Sequence, residues 1–354
     1  FSKIKRFCFL FACYFNLLFQ LFKIYFMNSK SLNYYKKKGL IIEERSIPKI
    51  SKNQMLIKVQ SCGICGSDIK ILKHGNPRVS SGRIMGHEIS GEVVDVGDIL
   101  DGFKIGDKVS IGADIPNKGD LAYGHELDGG FSQYMVLHST HIKNGPVEKF
   151  KDIDYDIAAL AEPLACCLNG YEKVQFKNYQ SVLILGGGVI GLILSFIATL
   201  KNIPKIYIAD ISKERIKNFK KFDFITNYFD INHIKEKNED FDLIFTANNN
   251  PQSQQQAIEL INSGGVINFF GGLPKNQSYV DINTNKIHYE EVIVTGSHGS
   301  TPEQHKQAIG ILEEHKSFFT MLISKKFAIA DFEKAFQEAT NPRNYKVIIK
   351  PNKN

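Results

Sequence analysis

Ser181-Val-Leu-Ile-Leu185 runs without a break into Gly186-Gly-Gly188-Val-Ile-Gly191. A short apolar run closed by glycines reads as a buried strand ending in a tight turn, with a helix starting at Val189. In that context the glycines have separate duties. Gly186 lets the chain turn out of the strand, Gly188 lets a pyrophosphate approach the backbone, and Gly191 lets the helix pack on the sheet. Val189 and Ile190 open a helix whose free N–H groups would face the phosphates. The next strand-like run, Ile206-Tyr-Ile-Ala-Asp210, ends in an acid 19 residues beyond Gly191. A carboxylate there binds both ribose hydroxyls and repels a 2′-phosphate, which favours NAD over NADP. Arg215 lies close enough to flank the adenine or to meet a phosphate. Two plainer readings stand beside this one: a glycine-rich turn that holds no dinucleotide, and Asp210 as a cap for a helix over residues 212–221.

Outward from this turn the chain changes character. From residue 181, strand-like runs (181–185, 205–210, 242–246, 265–270, 291–295) alternate with helix-length ones (189–201, 213–221, 253–262). Such alternation predicts a parallel sheet with helices on both faces. Before residue 180 the pattern is different. Short β-like runs at 55–59, 92–96, 108–111 and 131–136 are punctuated by Gly and Pro, which predicts a compact, mostly β barrel. The tail from about residue 304 mixes a helical run with a last strand-like Tyr345-Lys-Val-Ile-Ile349.

The β-rich half carries the metal-like chemistry. Cys62-Gly-Ile-Cys65-Gly-Ser67-Asp68 is followed by Gly86-His87-Glu88 and later by Glu162-Pro163. Thiolate, imidazole and carboxylate are the donors that zinc takes, and a catalytic zinc keeps one position open. Cys65, His87, Glu88 and Glu162 are therefore candidate ligands, with Glu88 and Glu162 competing for the third protein position. Cys62 reads as structural. A redox Cys62–Cys65 pair, a turn role for His87 and a surface role for Glu162 are the plainer alternatives.

Taken together, these motifs resemble the zinc-containing medium-chain dehydrogenases, in the sorbitol (polyol) and threonine dehydrogenase branch. Gly106-Asp-Lys-Val109, Gly129-Gly-Phe131, Ala161-Glu-Pro-Leu164 and Tyr345-Lys-Val347 add to the likeness, which spans about residues 31–351. The resemblance implies a GroES-like catalytic barrel domain from both chain ends, residues 27–178 and 305–354. It also implies an inserted Rossmann NAD-binding domain with a parallel sheet, residues 179–304. Carried over, Cys65, His87 and Glu88 stand as zinc ligands, and Glu162 ligates zinc or holds its water and the substrate. Asp68 orients His87, and Ser67 is the inner hydroxyl of a proton relay. Lys70 stands where the family often has the outer relay histidine. The stretch from Ile111 to Leu121 lacks the family's four-cysteine lobe, so one catalytic zinc and no structural zinc are expected. The implied reaction is NAD-dependent oxidation of a secondary hydroxyl in a polyol or cyclitol. L-Threonine 3-dehydrogenase and a catalytically inactive NAD-binding relative are the alternatives. The family also implies a homodimer or homotetramer.

Composition adds limits. The 354 residues suggest about two domains. The net charge of +7 comes from residues 1–38, which hold eight basic residues and no acid. From totals of 44 and 37, the rest has 36 basic and 37 acidic residues. A basic end on a balanced body is no nucleic-acid groove. Six cysteines are too few for a disulfide scaffold, and a reducing, cytoplasmic setting is the simpler expectation. The first methionine is Met27, and an apolar run over residues 7–22 precedes it. At sixteen residues with Asn16 and Gln20 inside, it falls short of the roughly 20 that span a bilayer. Residues 1–26 are therefore expected to be an extension outside both domains. An interfacial anchor and a secretory signal are the other readings.

Overall fold

The computed structural model describes residues 28–98, 102–113, 121–175, 178–237 and 239–353. The readings made for residues 1–26 and for most of the cysteine-free stretch 111–121 lie outside these. The chain divides into two compact units. One is formed by the chain up to Glu162 with Ile309–Ala339 and Val347–Asn354, the other by Pro163–Ala308 with Thr340–Lys346.

The second unit is built on six parallel strands. Their order is Asn227–Asp230, Lys205–Asp210, Ser181–Leu185, Phe241–Thr246, Ile261–Phe269 and Ile293–Gly296. In chain order this is 3-2-1-4-5-6, the doubly wound arrangement that binds dinucleotides where the order reverses. All five residues of Ser181–Leu185 are buried, because a central parallel strand is covered on both faces. The order reverses at this strand, so the turn after Leu185 occupies the switch point. The helix read over 253–262 ends earlier, at Leu260, and its strand starts at Ile261. The register shift between Phe241 and Leu243 absorbs the extra residues around Ser263-Gly264.

The first unit is β-rich. One sheet runs Ile323–Ala328, Lys346–Lys350, Met55–Gly63, Glu88–Val96, Lys108–Ile111, Val147–Lys149, and Tyr134–Leu137 pairs with Met55–Gly63 off that path. A three-stranded sheet of Gly39–Ser46, Asn28–Tyr35 and Arg83–Ile84 completes it. Leu32, Met55, Ile57, Val59, Ile89, Val93, Val109 and Phe131 are fully buried and form its core. Phe336, from the C-terminal part, packs edge-on against Phe131 at 5.7 Å.

A buried ionic staple holds the C-terminal strands to the rest of this unit. Asp156 is 5% exposed. It accepts from the Ser61 hydroxyl and from Lys350, and pairs with Lys326 at 2.6 Å. Burial pushes the Asp156 pKa up, but Lys326, Lys350 and Ser61 outweigh it and hold the carboxyl below its ordinary value. With the folded pKa lowered, the staple is at full strength above about pH 4 and is lost as pH falls through the lowered value. Asp156→Asn is expected to cost about 2 kcal/mol, discounted for the partly exposed lysines. That corresponds to roughly 5 °C in Tm. Calorimetry at pH 7 and pH 3.5 checks it: the gap between wild type and variant should shrink at the lower pH. An equal gap at both would show that Asp156 acts by packing alone.

Candidate active site

The nucleotide turn is formed as its glycines require. Gly186 has φ +114°, a conformation that side chains disfavour. A Cβ on Gly191 would stand 1.9 Å from the Gly186 carbonyl oxygen, so only glycine lets the helix sit this close to the turn. Above Gly188 the space is open: a Cβ there meets only Arg215 Nη1, at 3.9 Å. Gly188 caps the helix Val189–Leu200, with Val189 and Ile190 half-buried in its first turn. The sequence reading passed over Gly187, where a Cβ would come 2.1 Å from Phe219 Cζ.

Asp210, 5% exposed, is brought against this turn. Its Oδ2 accepts the Gly187 N–H at 2.7 Å and its Oδ1 accepts the Ser212 N–H at 2.8 Å. Ser212 itself caps the helix Lys213–Phe219, so Asp210 is free of the capping duty considered above. Arg215 Nη1 lies 3.3 Å from Asp210 Oδ2, and its Nε donates to the Pro342 carbonyl. The guanidinium thus neutralises part of the charge that Asp210 presents.

In the other unit, strand Met55–Gly63 delivers Cys65 to the start of helix Gly66–His74. The Asp68 Oδ2 accepts the Cys65 N–H at 2.9 Å, a capping interaction that fixes the acid in the first turn. Asp68 Oδ1 lies 3.6 Å from His87 Nδ1, and His87 Nε2 lies 3.1 Å from Ser67 Oγ. One helical turn therefore holds both sides of a single imidazole. His87 is 5% exposed. Burial opposes a charge on it, yet Asp68, Cys65 and Glu162 together hold its pKa well above the ordinary imidazole value. Glu162 sits in the first turn of helix Ala161–Lys173.

Ser67 and Asp68 thus flank His87, and the charges of Cys65 and Glu162 act on it. Glu88 lies against the end of strand Met55–Gly63. It is 1% exposed, and its Oε2 lies 2.0 Å from where a Cβ on the paired Gly63 would be, so its carboxylate rests on the Gly63 backbone. Cys62 is fully buried, and its Sγ lies against Gly86 and Gly130, the packing role read from the sequence. Lys70 and His74 are exposed on the same helix.

Among the described residues, no three His, Cys, Asp or Glu side chains stand ready-made as a metal cage. The donor chemistry nevertheless fits a divalent ion. A buried imidazole whose surroundings favour a positive charge, with a thiol and a carboxylate acting on it, suits a cation as it suits a proton. Holding Nδ1 toward Asp68 leaves Nε2 as the metal-facing nitrogen.

One residue of this centre was not read from the sequence. The His125 ring lies 5.3 Å from that of His87, tilted by 46°. Burial, His87 and Arg78 push its pKa down to about 4. The signal available was Gly124-His125 four residues before the Gly129-Gly-Phe131 already singled out.

Comparison with known proteins gives the family of the chain. Residues 51–146 match the family of the alcohol dehydrogenase GroES-like domain, and residues 189–314 match the zinc-binding dehydrogenase family. The chain is 26% identical over 334 residues to the sorbitol dehydrogenase of Halalkalibacterium halodurans, covering 88% of this chain and 95% of that protein. It is 25% identical to the D-altritol 5-dehydrogenase of Agrobacterium fabrum, covering 90% and 98%. The crystal structure of 2R,3R-butanediol dehydrogenase from Bacillus subtilis has the same fold, with TM-score 0.82, 24% identity and coverage of 92% and 100%. A GroES-like domain followed by a doubly wound sheet, and polyol dehydrogenases alike over nearly the whole length, lead to one conclusion: this chain belongs to the zinc-containing medium-chain dehydrogenases and is an alcohol dehydrogenase.

Proposed function

We propose that the protein oxidises a secondary hydroxyl of a polyol or cyclitol to a ketone, using NAD and one catalytic zinc. The observation that carries this reading is the convergence of Cys65, Ser67, Asp68 and Glu162 on His87. Cys65 and His87 are the assigned ligands. Glu162, whose charge acts on His87, is favoured over Glu88 as the carboxylate. When bound, zinc would polarise the carbinol oxygen and NAD would accept the hydride.

The remaining steps belong to the chain. Ser67 Oγ, beside His87 Nε2, accepts the carbinol proton as it hands its own hydroxyl proton outward to water. Asp68 holds the imidazole in the orientation that serves this arrangement. Asp210 binds the adenosine ribose, and Gly186 to Gly191 with the first turn of Val189–Leu200 receive the pyrophosphate. The carboxylate at Asp210 supports NAD over NADP, with Arg215 lowering rather than reversing that preference. Residues 27–178 with 305–354 act as the catalytic domain and 179–304 as the nucleotide domain.

Ile293 and Val294, 45% and 37% exposed on the edge strand of the parallel sheet, support pairing into a homodimer or homotetramer. The free thiol required at Cys65 supports a reducing, cytoplasmic setting. No helix among the described residues is long and apolar enough to cross a membrane.

The test is metal analysis of purified, reduced protein, joined to NADH formation over a panel of polyols, cyclitols and L-threonine. One zinc per chain with turnover of polyols is the expected result. Turnover of L-threonine alone would replace the substrate class. Well-folded protein that neither binds zinc nor turns over any of them would sink the reading.

A further inference from the structure

Resting on the nucleotide site just proposed, we infer that Asn169 is a positioning residue for the cofactor. Its amide turns two successive carbonyls inward. The N–H groups of Gly299 and Ser300 are thereby presented to an oxygen of the nicotinamide riboside.

The place of this segment follows from the sheet. A doubly wound sheet has two mononucleotide-binding halves, and ligands lie beyond the carboxyl ends of its strands. Strands Phe241–Thr246, Ile261–Phe269 and Ile293–Gly296 form the second half. The segment 297–301 leaves the carboxyl end of Ile293–Gly296, where Gly296 pairs with Phe269. His298 is exposed there, and Gly299 and Ser300 are half-buried, so a ligand can reach this backbone.

Asn169, 7% exposed, lies on the helix Ala161–Lys173. Its Nδ2 donates to the His298 carbonyl at 3.2 Å and to the Gly299 carbonyl at 2.9 Å. Gly299, with φ +64°, supplies the bend that brings both carbonyls onto one nitrogen. A trans peptide aims its N–H opposite to its carbonyl. The Gly299 and Ser300 N–H groups therefore point away from Asn169. Neither makes a hydrogen bond among the described residues. Two neighbouring backbone donors are left for an acceptor from outside the protein.

The amide is held so that it cannot turn over. Its Oδ1 accepts from Gln304 Nε2 at 3.4 Å, which leaves Nδ2 for the two carbonyls. Gln304, 3% exposed, also donates to Glu172 at 2.6 Å and accepts the Thr301 N–H at 2.8 Å. The helix beneath is fixed as well. The Tyr171 hydroxyl donates to the Leu194 carbonyl at 2.8 Å, and a Cβ on Gly170 would stand 3.1 Å from the Phe270 ring. Asn169 thus holds the segment from a rigid support, as a binding geometry requires.

The experiment measures binding of NADH and of ADP to the full-length, zinc-loaded protein, as wild type and as Asn169→Ala. ADP keeps the adenosine and both phosphates and lacks the nicotinamide riboside. Asn169→Ala should raise the Kd for NADH about tenfold and leave that for ADP within about twofold. In the wild type, NADH should slow hydrogen exchange at the Gly299 and Ser300 amides, and ADP should not. Equal rises for both ligands would show that Asn169 only supports the sheet. Unchanged Kd values would overturn the assignment. So would amides that exchange alike with NADH and ADP, and that result stands even where Asn169→Ala fails to fold. A wild type that binds neither ligand would overturn the nucleotide site itself. One that binds NADH without protecting these amides overturns this inference alone.

Discussion

Cys65→Ala should lower kcat/KM for the best polyol by about a thousandfold and strip the protein of zinc while leaving it folded. Changes around a zinc ligand cost roughly 10–100-fold in metal affinity or activity, and removing a ligand should exceed that. The reason lies in the charge balance at His87. Asp68, Cys65 and Glu162 all favour positive charge there. Loss of the thiolate removes both a donor and one of those charges. Folding depends little on the thiol: the Cys65 backbone N–H still reaches Asp68 Oδ2, and the residue is only half-buried at a helix start. An alanine at this cap costs about 1 kcal/mol. Metal analysis, steady-state rates and a thermal melt on the same sample decide the matter. Retained zinc and turnover within about threefold of wild type would remove Cys65 from the ligand set. Glu162→Gln and Glu88→Gln, run alongside, show which carboxylate holds the metal. The action of the Glu162 charge on His87 leads us to expect the larger zinc loss from Glu162→Gln.

Much of this architecture could be read from residue order because its signals are local. The parallel sheet follows from apolar runs at regular spacing, and Ser181–Leu185 with its glycines shows where the sheet turns. The candidate donors Cys65, His87, Glu88 and Glu162 carry their chemistry in their residue types. Other parts were hidden for physical reasons. The hairpin of Asn28–Tyr35 and Gly39–Ser46 gave no alternating apolar signal, because polar residues point inward. Asn33 is fully buried, accepts from the Ser31 hydroxyl and donates to the Gly82 carbonyl. Such satisfied polar groups look like loop in a hydropathy reading. Strand Asn227–Asp230 is likewise a sheet edge that buries only Phe229. His125 was hidden for a different reason. Its neighbour His87 lies 38 positions away, and only the stacking of Gly124 and Gly129 on Gly86 joins them.

The two glycines of the nucleotide turn should fail in opposite ways, and that contrast tests the cofactor site itself. Gly191→Ala adds a Cβ that would lie 1.9 Å from the Gly186 oxygen and 3.3 Å from Ile184 Cγ2. Backbone cannot give way as a side-chain tip can, so helix Val189–Leu200 must shift off the strand that it covers. Overpacking of this kind costs about 1–3 kcal/mol or more. A fall in Tm of about 5 °C is expected, with weaker NADH binding as a consequence. Gly188→Ala differs. Gly188 has φ −73°, which alanine adopts freely, and only Arg215 Nη1 lies near the new methyl, at 3.9 Å. Its Tm should stay within about 2 °C of wild type. The methyl stands instead where the pyrophosphate would approach the helix N-terminus, so the Kd for NADH should rise about tenfold or more. Fluorescence titration with NADH beside a thermal melt separates the two. If Gly188→Ala bound NADH as wild type does, the phosphates would not lie on this turn, however well its glycines fit the pattern. If Gly191→Ala kept its Tm but lost NADH, that glycine would serve the cofactor directly rather than the packing of the helix.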